Sequence, residues 1–386
     1  MKVCIWGNIA TSLEGKTEGG GELQIDLLAK VLAKSGHEVI IIDPVSQKDF
    51  ITEEGIKVFQ LNGWNRGIKY LRLFTHQIPL LYKSLKAQKA DIYYSQIRDF
   101  KHVLSLRAAR KVKGKFVIQL ASDLDCSSRR LRFKHDYLTS FEGPYWFIKV
   151  LLTELIFPGI LRKADLVLAQ HEGQKNTLKS KGINSIIFNN IIDLNKIPKA
   201  VNPERKDFSY VGALDKRKGF AEFYELVSKA PSHTFRVIGA PRDKTGYFYY
   251  EKLKSFKNVT LYGKLSHSET MHHILNSKAL ISTSPMEGFP NVFIEAWVYG
   301  IPVLSLDFDP GDVIRKENLG VFGNGDMNTL LNAMDNIDNS EEFALRAKAY
   351  VDNNHALNTN KKQEINNLFA KINKPKIREL SDMSKK

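Results

Sequence analysis

Apolar and polar positions fall into alternating blocks along the chain. Short apolar runs suited to strands are separated by longer stretches with apolar residues every three or four positions. Residues 3–6 (Val-Cys-Ile-Trp) predict a first strand, and the glycine triplet Gly19, Gly20 and Gly21 follows a polar stretch. Leu23, Leu27, Leu28, Val31 and Leu32 then lie at helical spacing, and Gly36 ends that helix. Further strands are predicted at 38–43, 57–61, 91–94, 116–120, 165–169 and 185–188. Strands separated by helices imply a parallel sheet covered on both faces. A polar stretch bearing Asn and Pro, 189–205, interrupts the series, which restarts at 208–211 and continues at 233–238, 259–262, 279–282 and 302–306. The pattern is that of an α/β protein with two doubly wound units, spanning 1–195 and 206–345. A charged tail, 374–386, is expected to fray.

With 386 residues, the chain is long enough for two ordinary domains, and 43% hydrophobic with 26% charged residues is the composition of a soluble globular protein. Its two cysteines, Cys4 and Cys126, are too few and too far apart for a zinc site or a disulfide framework, so a reducing compartment is expected. The first residues read directly as a strand and not as an export segment, so the expected location is cytoplasmic. The formal net charge of +15 is concentrated: residues 66–134 hold 17 Lys/Arg against 4 Asp/Glu. Three partners fit such a cluster: nucleic acid, an anionic membrane surface, or a phosphorylated acceptor. No zinc-finger spacing or RNA-recognition aromatic motif accompanies it, so a nucleic-acid partner is not expected. Arg66, Lys69, Arg72, Lys83 and Lys86 are interleaved with Tyr70, Leu71, Leu73, Leu80, Leu81 and Tyr82, as in a helix lying on anionic lipid at the inner face of a membrane. The most apolar stretch, 145–161, is interrupted by Lys149, Glu154 and Pro158; a span needs about 20 mostly apolar residues, so this reads as a buried or interfacial helix.

The densest chemistry lies in Glu287-Gly-Phe-Pro-Asn-Val-Phe-Ile-Glu295. A strand at 279–282 leads through a polar turn to Glu287, Gly288 and Pro290 form a loop, and a helix begins near Val292. A loop at the carboxyl end of a strand, opening onto a helix N-terminus, is where open α/β sheets bind ligands, and its free N–H groups suit phosphate. Glu287 and Glu295 can face one cleft and accept hydrogen bonds from sugar or ribose hydroxyls. Taken alone, they would equally be a loop carboxylate and a helix surface charge.

Two glutamates eight positions apart around Gly-Phe-Pro-Asn resemble the signature of the family 4 retaining glycosyltransferases. The resemblance extends to Gly19–Glu22 as the N-terminal glycine loop, Tyr210–Leu214 with Lys218-Gly219 as the entry to the second domain, and 263–267 as the loop beside the base. It also reaches 309–311, a Gly-rich position in that family, and 350–355 in the C-terminal helix. This resemblance implies two Rossmann-like domains facing across a cleft (the GT-B type), with 346–374 crossing back to the first domain. It implies retaining, metal-independent transfer of a sugar from a nucleotide-sugar donor, needing no cofactor, to a glycan or lipid-linked saccharide in cell-surface polysaccharide biosynthesis. Glu287 and Lys218 would be catalytic. Glu295 would hold the ribose, and backbone N–H groups around Phe289, Pro290 and Asn291 would meet the diphosphate. Gly20, Gly21, Gly212 and Leu265 would complete the donor site.

Two positions depart from the family. Ala213 stands where the family usually has arginine, and Lys216 or Arg217 is the candidate to replace that charge, although their side chains leave the backbone elsewhere. Ser122 and Asp123 stand where many members carry a histidine, and become candidate sugar or acceptor contacts. The aspartate pairs Asp123/Asp125 and Asp307/Asp309 are common strand-end features, and adjacent His272 and His273 diverge on a helix, so no metal site is read from them. A sugar-nucleotide epimerase on the same scaffold and a non-catalytic nucleotide-sugar-binding protein remain the alternatives.

Overall fold

The computed structural model describes residues 1–13, 19–68, 71–128, 144–198 and 204–373. Lys69 and Tyr70, the part of the basic stretch from 129 to 134, and the tail from 374 lie outside them.

The first sheet contains β1 (Lys2–Trp6), β2 (Glu38–Asp43), β3 (Phe50–Ile51), β4 (Lys57–Gln60), β5 (Ile92–Gln96), β6 (Lys115–Gln119), β7 (Leu166–Ala169) and β8 (Ser185–Ile187). Their order across the sheet is β3-β4-β2-β1-β5-β6-β7-β8. All pairs are parallel except β3 with β4. The second sheet contains β9 (Asp207–Val211), β10 (Phe235–Ile238), β11 (Val259–Gly263), β12 (Ser277–Ser282), β13 (Val303–Ser305) and β14 (Gly320–Phe322), in the order β11-β10-β9-β12-β13-β14, and is wholly parallel. Strand β2 shows why such strands read as apolar runs: five of its six residues are buried because helices cover both faces.

Each sheet is covered by its own clusters of apolar side chains on two faces. The chain ends by crossing between them. Helix Glu341–Asn354 packs Phe343, Ala347 and Val351 against the second sheet's helix Asn291–Val298. Helix Thr359–Asn373 returns to the first sheet, where Ile365 and Phe369 are buried beside helix Gly20–Lys34. His355 sits at the crossing. Its Nδ1–H donates to the Asn190 carbonyl at 2.7 Å, and burial lowers its pKa to about 4, so it stays neutral at ordinary pH.

One feature differs from the sequence pattern, and a second agrees with it. The segment expected to lie on lipid turns inward: Leu73, Leu81 and Leu85 are buried in the first domain's core, and Leu80 and Tyr82 pack against it. Among the described residues, the large hydrophobic side chains left exposed there are Ile68, Leu71 and Phe74. Residues 145–161 fall within helix Pro144–Lys163, whose Phe157, Ile160 and Leu161 are buried, leaving Ile148, Leu151 and Leu155 exposed. Among the described residues no helix is long and apolar enough to cross a membrane.

Candidate active site

The strand orders locate a ligand crevice before any side chain is considered. The first sheet reverses direction of growth between β1 and β5, and the second between β9 and β12. Ligands of open parallel sheets bind at the carboxyl ends of the strands beside such a switch point. The loops there are Gly7–Ile9 and the glycine-led start of helix Gly20–Lys34 after β1, Ile97 after β5, 212–219 after β9, and 283–290 after β12.

After β9 the chain makes a short turn, Lys216–Lys218. Asp215 caps it, its Oδ1 accepting the Lys218 N–H at 3.0 Å. Gly219 has φ +65°, and a β-carbon there would overlap the Thr283 carbonyl, so only glycine lets this turn sit against the end of β12. That close approach aims Lys218 at the next loop, where its Nζ donates to Glu287 Oε1. The pair is partly buried, with side chains 35% and 19% exposed. Arg217 does not join it; its guanidinium donates to Asp215 at 2.8 Å. The charge absent at Ala213 is therefore not restored by that side chain.

Beyond Glu287, Pro290 caps helix Asn291–Val298, its carbonyl accepting the Phe293 N–H at 3.1 Å. Proline has no N–H to offer an anion, and the Phe289 side chain is buried against Trp297 and His355. The anion-facing part of this helix start is thus the backbone of its first residues. One turn inside, Glu295 is buried and accepts a 2.9 Å hydrogen bond from His267 Nε2. That bond raises the pKa of His267, which lies two residues after half-buried Leu265 and begins helix His267–Leu275. The two glutamates therefore have separate partners: Glu287 with Lys218, and Glu295 with His267.

The first domain closes over this loop. Asp123 N–H donates to the Glu287 carbonyl at 2.8 Å. Gly288 lies against the Ala121 carbonyl and Gln170. Gly20 accepts a 3.0 Å hydrogen bond from Asn291 Nδ2, and Gly21 faces Ile97. Ile97 itself has φ +73°, a strained conformation for a β-branched residue, and is 49% exposed at the switch point. Ser122 is occupied as a cap, its hydroxyl accepting the Leu124 N–H at 3.3 Å.

A relay of buried amides, absent from the sequence reading, joins these contacts. Gln170 Nε2 donates to Asn190 Oδ1 at 2.9 Å, and Asn190 Nδ2 donates to the Phe289 carbonyl at 2.7 Å and to Asn291 Oδ1 at 2.9 Å. Gln24 Nε2 reaches the same Asn291 oxygen at 3.2 Å and the Ile191 carbonyl at 2.9 Å. Gln170 and His171 follow β7 directly, and Asn190 lies soon after β8, so position at a strand's carboxyl end was the available signal for them.

Residues 192–353 match the family model for glycosyl transferases group 1. The chain is 25% identical over 269 residues to the lipopolysaccharide 1,6-galactosyltransferase of Salmonella typhimurium, covering 65% of this chain and 69% of that one. It is 23% identical over 338 residues to a glycosyltransferase of Haemophilus influenzae, covering 85% and 89%. A 29% identical match to a 41.2 kDa protein in the cps region of Klebsiella pneumoniae spans only 27% of this chain and 28% of that protein. Among solved structures, the sucrose-phosphate synthase of Thermosynechococcus elongatus superposes with a TM-score of 0.75 at 15% identity, covering 96% of this chain and 98% of its own. HepE of Anabaena in complex with UDP superposes at 0.66 and 14% identity, covering 96% and 100%. The fold and the matched family define a glycosyltransferase with two Rossmann-like domains facing across a cleft. Residues 192–353 are its glycosyl transferases group 1 domain.

Proposed function

We propose that this glycosyltransferase moves a sugar from a nucleotide-sugar donor to a glycan or lipid-linked saccharide in surface-polysaccharide biosynthesis, retaining the anomeric configuration and using no metal ion. The observation that carries this is the Lys218–Glu287 pair at the second sheet's switch point, beside the start of helix Asn291–Val298. Lys218 and the first N–H groups of that helix offset the diphosphate charge, Glu287 contacts the donor sugar, and Glu295 accepts from the ribose. The acceptor oxygen bonds to the anomeric carbon on the face from which the phosphate oxygen leaves, and the acceptor proton passes to that oxygen. The UDP held by HepE and the lipopolysaccharide substrate of the Salmonella relative support the donor and acceptor classes.

A thermal-shift panel of nucleoside diphosphates and nucleotide sugars, run without metal on wild type and on Glu295→Ala, tests the donor site. A ligand at a hundred times its Kd stabilises by about 2.7 kcal/mol. One nucleotide class should stabilise the wild type and not the variant. Stabilisation by none of them would defeat the reading. Donor turnover would dismiss the non-catalytic alternative that Ala213 favours.

The same reading places the first domain against an anionic membrane surface. Its support is the basic stretch, the exposed Ile148, Leu151 and Leu155, and a neighbouring 790 Å³ groove. That groove is floored by Val103, Leu106 and Ile160 and rimmed by Arg107, Lys111 and Lys163, and neither Lys218 nor Glu287 lines it. Phosphatidylglycerol vesicles should carry the protein upward in a flotation gradient at low salt and release it at high salt; protein left at the bottom with these vesicles would sink the idea.

A further inference from the structure

Helix Lys244–Leu253 of the second domain carries two stripes at the spacing that normally marks one buried face. Gly246, Tyr249, Tyr250 and Leu253 form the inward stripe: Gly246 and Leu253 are buried, and the two tyrosines pack against the core around Phe223. Lys244, Tyr247, Phe248, Glu251 and Lys252 form the other stripe and line a shallow groove. On it Tyr247 is 60% and Phe248 55% exposed. Cations surround these rings, because residues 242–257 hold five Lys/Arg against two Asp/Glu. Both acids are engaged. Asp243 caps the helix, its Oδ1 accepting the Gly246 N–H at 2.7 Å, and Glu251 accepts from Lys254 Nζ at 2.7 and 2.9 Å. Lys252 Nζ lies 4.4 Å from the centre of the Phe248 ring. Among the described residues Arg242 and Lys244 pair with no carboxylate. The stripe begins at the edge of the transfer cleft. Asp243 Oδ2 accepts the Lys216 N–H at 3.0 Å, two residues before Lys218, and the Arg242 N–H donates to the Leu214 carbonyl at 3.1 Å. A β-carbon on Gly246 would overlap that same carbonyl, so glycine lets the first helical turn seat against the 212–219 turn. From Lys244 to Lys252 the stripe runs about 12 Å, longer than one sugar ring.

We propose that this outward face is a binding site for an anionic glycan chain, separate from the transfer cleft and continuous with its rim. Tyr247 and Phe248 carry the C–H faces of the sugar rings, and Arg242, Lys244 and Lys252 meet the chain's carboxylates. The electron-rich face of an aromatic ring attracts polarised C–H groups, which a pyranose presents along one side. Exposed apolar groups rimmed by polar ones mark interaction sites, and the unpaired cations select an anion. The large apolar groups exposed on this helix are both flat rings, which suit a saccharide, whereas Ile148, Leu151 and Leu155 of the first domain are the branched aliphatic groups that suit lipid. This goes beyond the proposed reaction and rests on its glycan acceptor: a chain whose end occupies the cleft leaves along the rim, where the stripe holds it between transfers.

The test is retardation in native gels containing hyaluronate, dextran or poly-L-glutamate, for wild type, Tyr247→Ser/Phe248→Ser and Lys244→Gln/Lys252→Gln. The wild type should bind hyaluronate at least about tenfold more tightly than neutral dextran. The ring variant should bind hyaluronate at least about tenfold more weakly than wild type, yet bind poly-L-glutamate, an anion without sugar rings, equally well. The lysine variant should lose most of the preference over dextran. Both variants should melt with the wild type, since the substituted side chains stand outside the core. A wild type that hyaluronate does not retard, or a ring variant retarded as strongly as wild type, overturns the proposal. An equal loss on poly-L-glutamate overturns it as well, because charge alone would then explain the binding. Loss of flotation on phosphatidylglycerol vesicles in the ring variant would overturn it by assigning this face to lipid. None of these readouts needs a donor, and stabilisation by nucleoside diphosphates tests the cleft separately, so failure of one reading is distinguishable from failure of the other.

Discussion

Lys218→Met should lower kcat/KM for sugar transfer by about 10²- to 10³-fold, the range seen when one group aimed at developing charge is removed. The methionine keeps the apolar stem and removes only the ammonium. In the empty cleft Lys218 and Glu287 balance each other. A bound donor adds a diphosphate with two negative charges, and more charge develops on its terminal oxygen as the sugar leaves. An ammonium carries three donors, so it can keep Glu287 and hold a phosphate oxygen as well. Without it, the Glu287 carboxylate faces the diphosphate unopposed, and both binding and departure of the leaving group suffer. The stability effect should be small, because an ion pair this exposed contributes at most about 1 kcal/mol. Steady-state kinetics beside a thermal melt therefore separate the roles. A large fall in rate with a nearly unchanged melting temperature is the expected outcome, and a rate within threefold of wild type would remove Lys218 from the chemistry.

The sheet architecture was legible because strands buried on both faces leave little choice of residue. The 38–43 run matches β2 at both ends, and the turn-and-helix pattern around Glu287 and Glu295 is present as read. What escaped lies at sheet edges: β3 has two residues, and β14 is a glycine-led Gly-Val-Phe whose residues are only half-buried, so neither reads as an apolar run. Part of the charge in the basic stretch is paired within the fold. Charge counted along a sequence ignores partners that folding supplies, and Arg110 finds Asp165 at 2.6 Å while Arg98 reaches Glu154, 56 positions away. Its apolar neighbours Leu73 and Leu81 face the core, which a count of interleaved residues cannot distinguish from facing lipid. In the site, Lys218 and Glu287 were found by resemblance of motif, since 69 residues separate them. The amide relay was beyond reach. Gln24 and Asn291 meet across 267 positions, and each reads locally as an ordinary solvated amide. Ser122 was given a sugar contact because a hydroxyl after a strand suits one; the short turn that follows also uses its oxygen as a cap, a role the sequence did not reveal.

That relay sets up the second large effect. Gly288→Ala should reduce kcat/KM by about 10²-fold, the cost of misplacing reacting groups by roughly 1 Å, while affinity for the nucleoside diphosphate that stabilises the wild type stays close to wild type. A β-carbon on Gly288 would overlap both Gln170 Oε1 and the Ala121 carbonyl oxygen, and would lie 2.8 Å from that carbonyl's carbon. Gln170 is locked by the relay, and Ala121 is main chain beside the end of β6, so neither can yield alone. The methyl group therefore acts as a wedge between the two domains. It sits between two of the contacts that close them, the Asp123 bond to the Glu287 carbonyl at 2.8 Å and the Asn190 bond to the Phe289 carbonyl at 2.7 Å. Opening the cleft there parts Asp123 from Glu287 and leaves buried amides without partners, but disturbs neither domain's core. The nucleotide contacts proposed for Glu295 and His267 belong wholly to the second domain and should persist. Gly219→Ala is the control with the opposite signature. Its clash with Thr283 and its φ of +65° lie inside the second domain, so it should lower the melting temperature and weaken nucleoside diphosphate binding together. If Gly288→Ala instead turned over donor at the wild-type rate, the domains would have to reach their working arrangement without the contact between Gly288 and the Ala121 carbonyl.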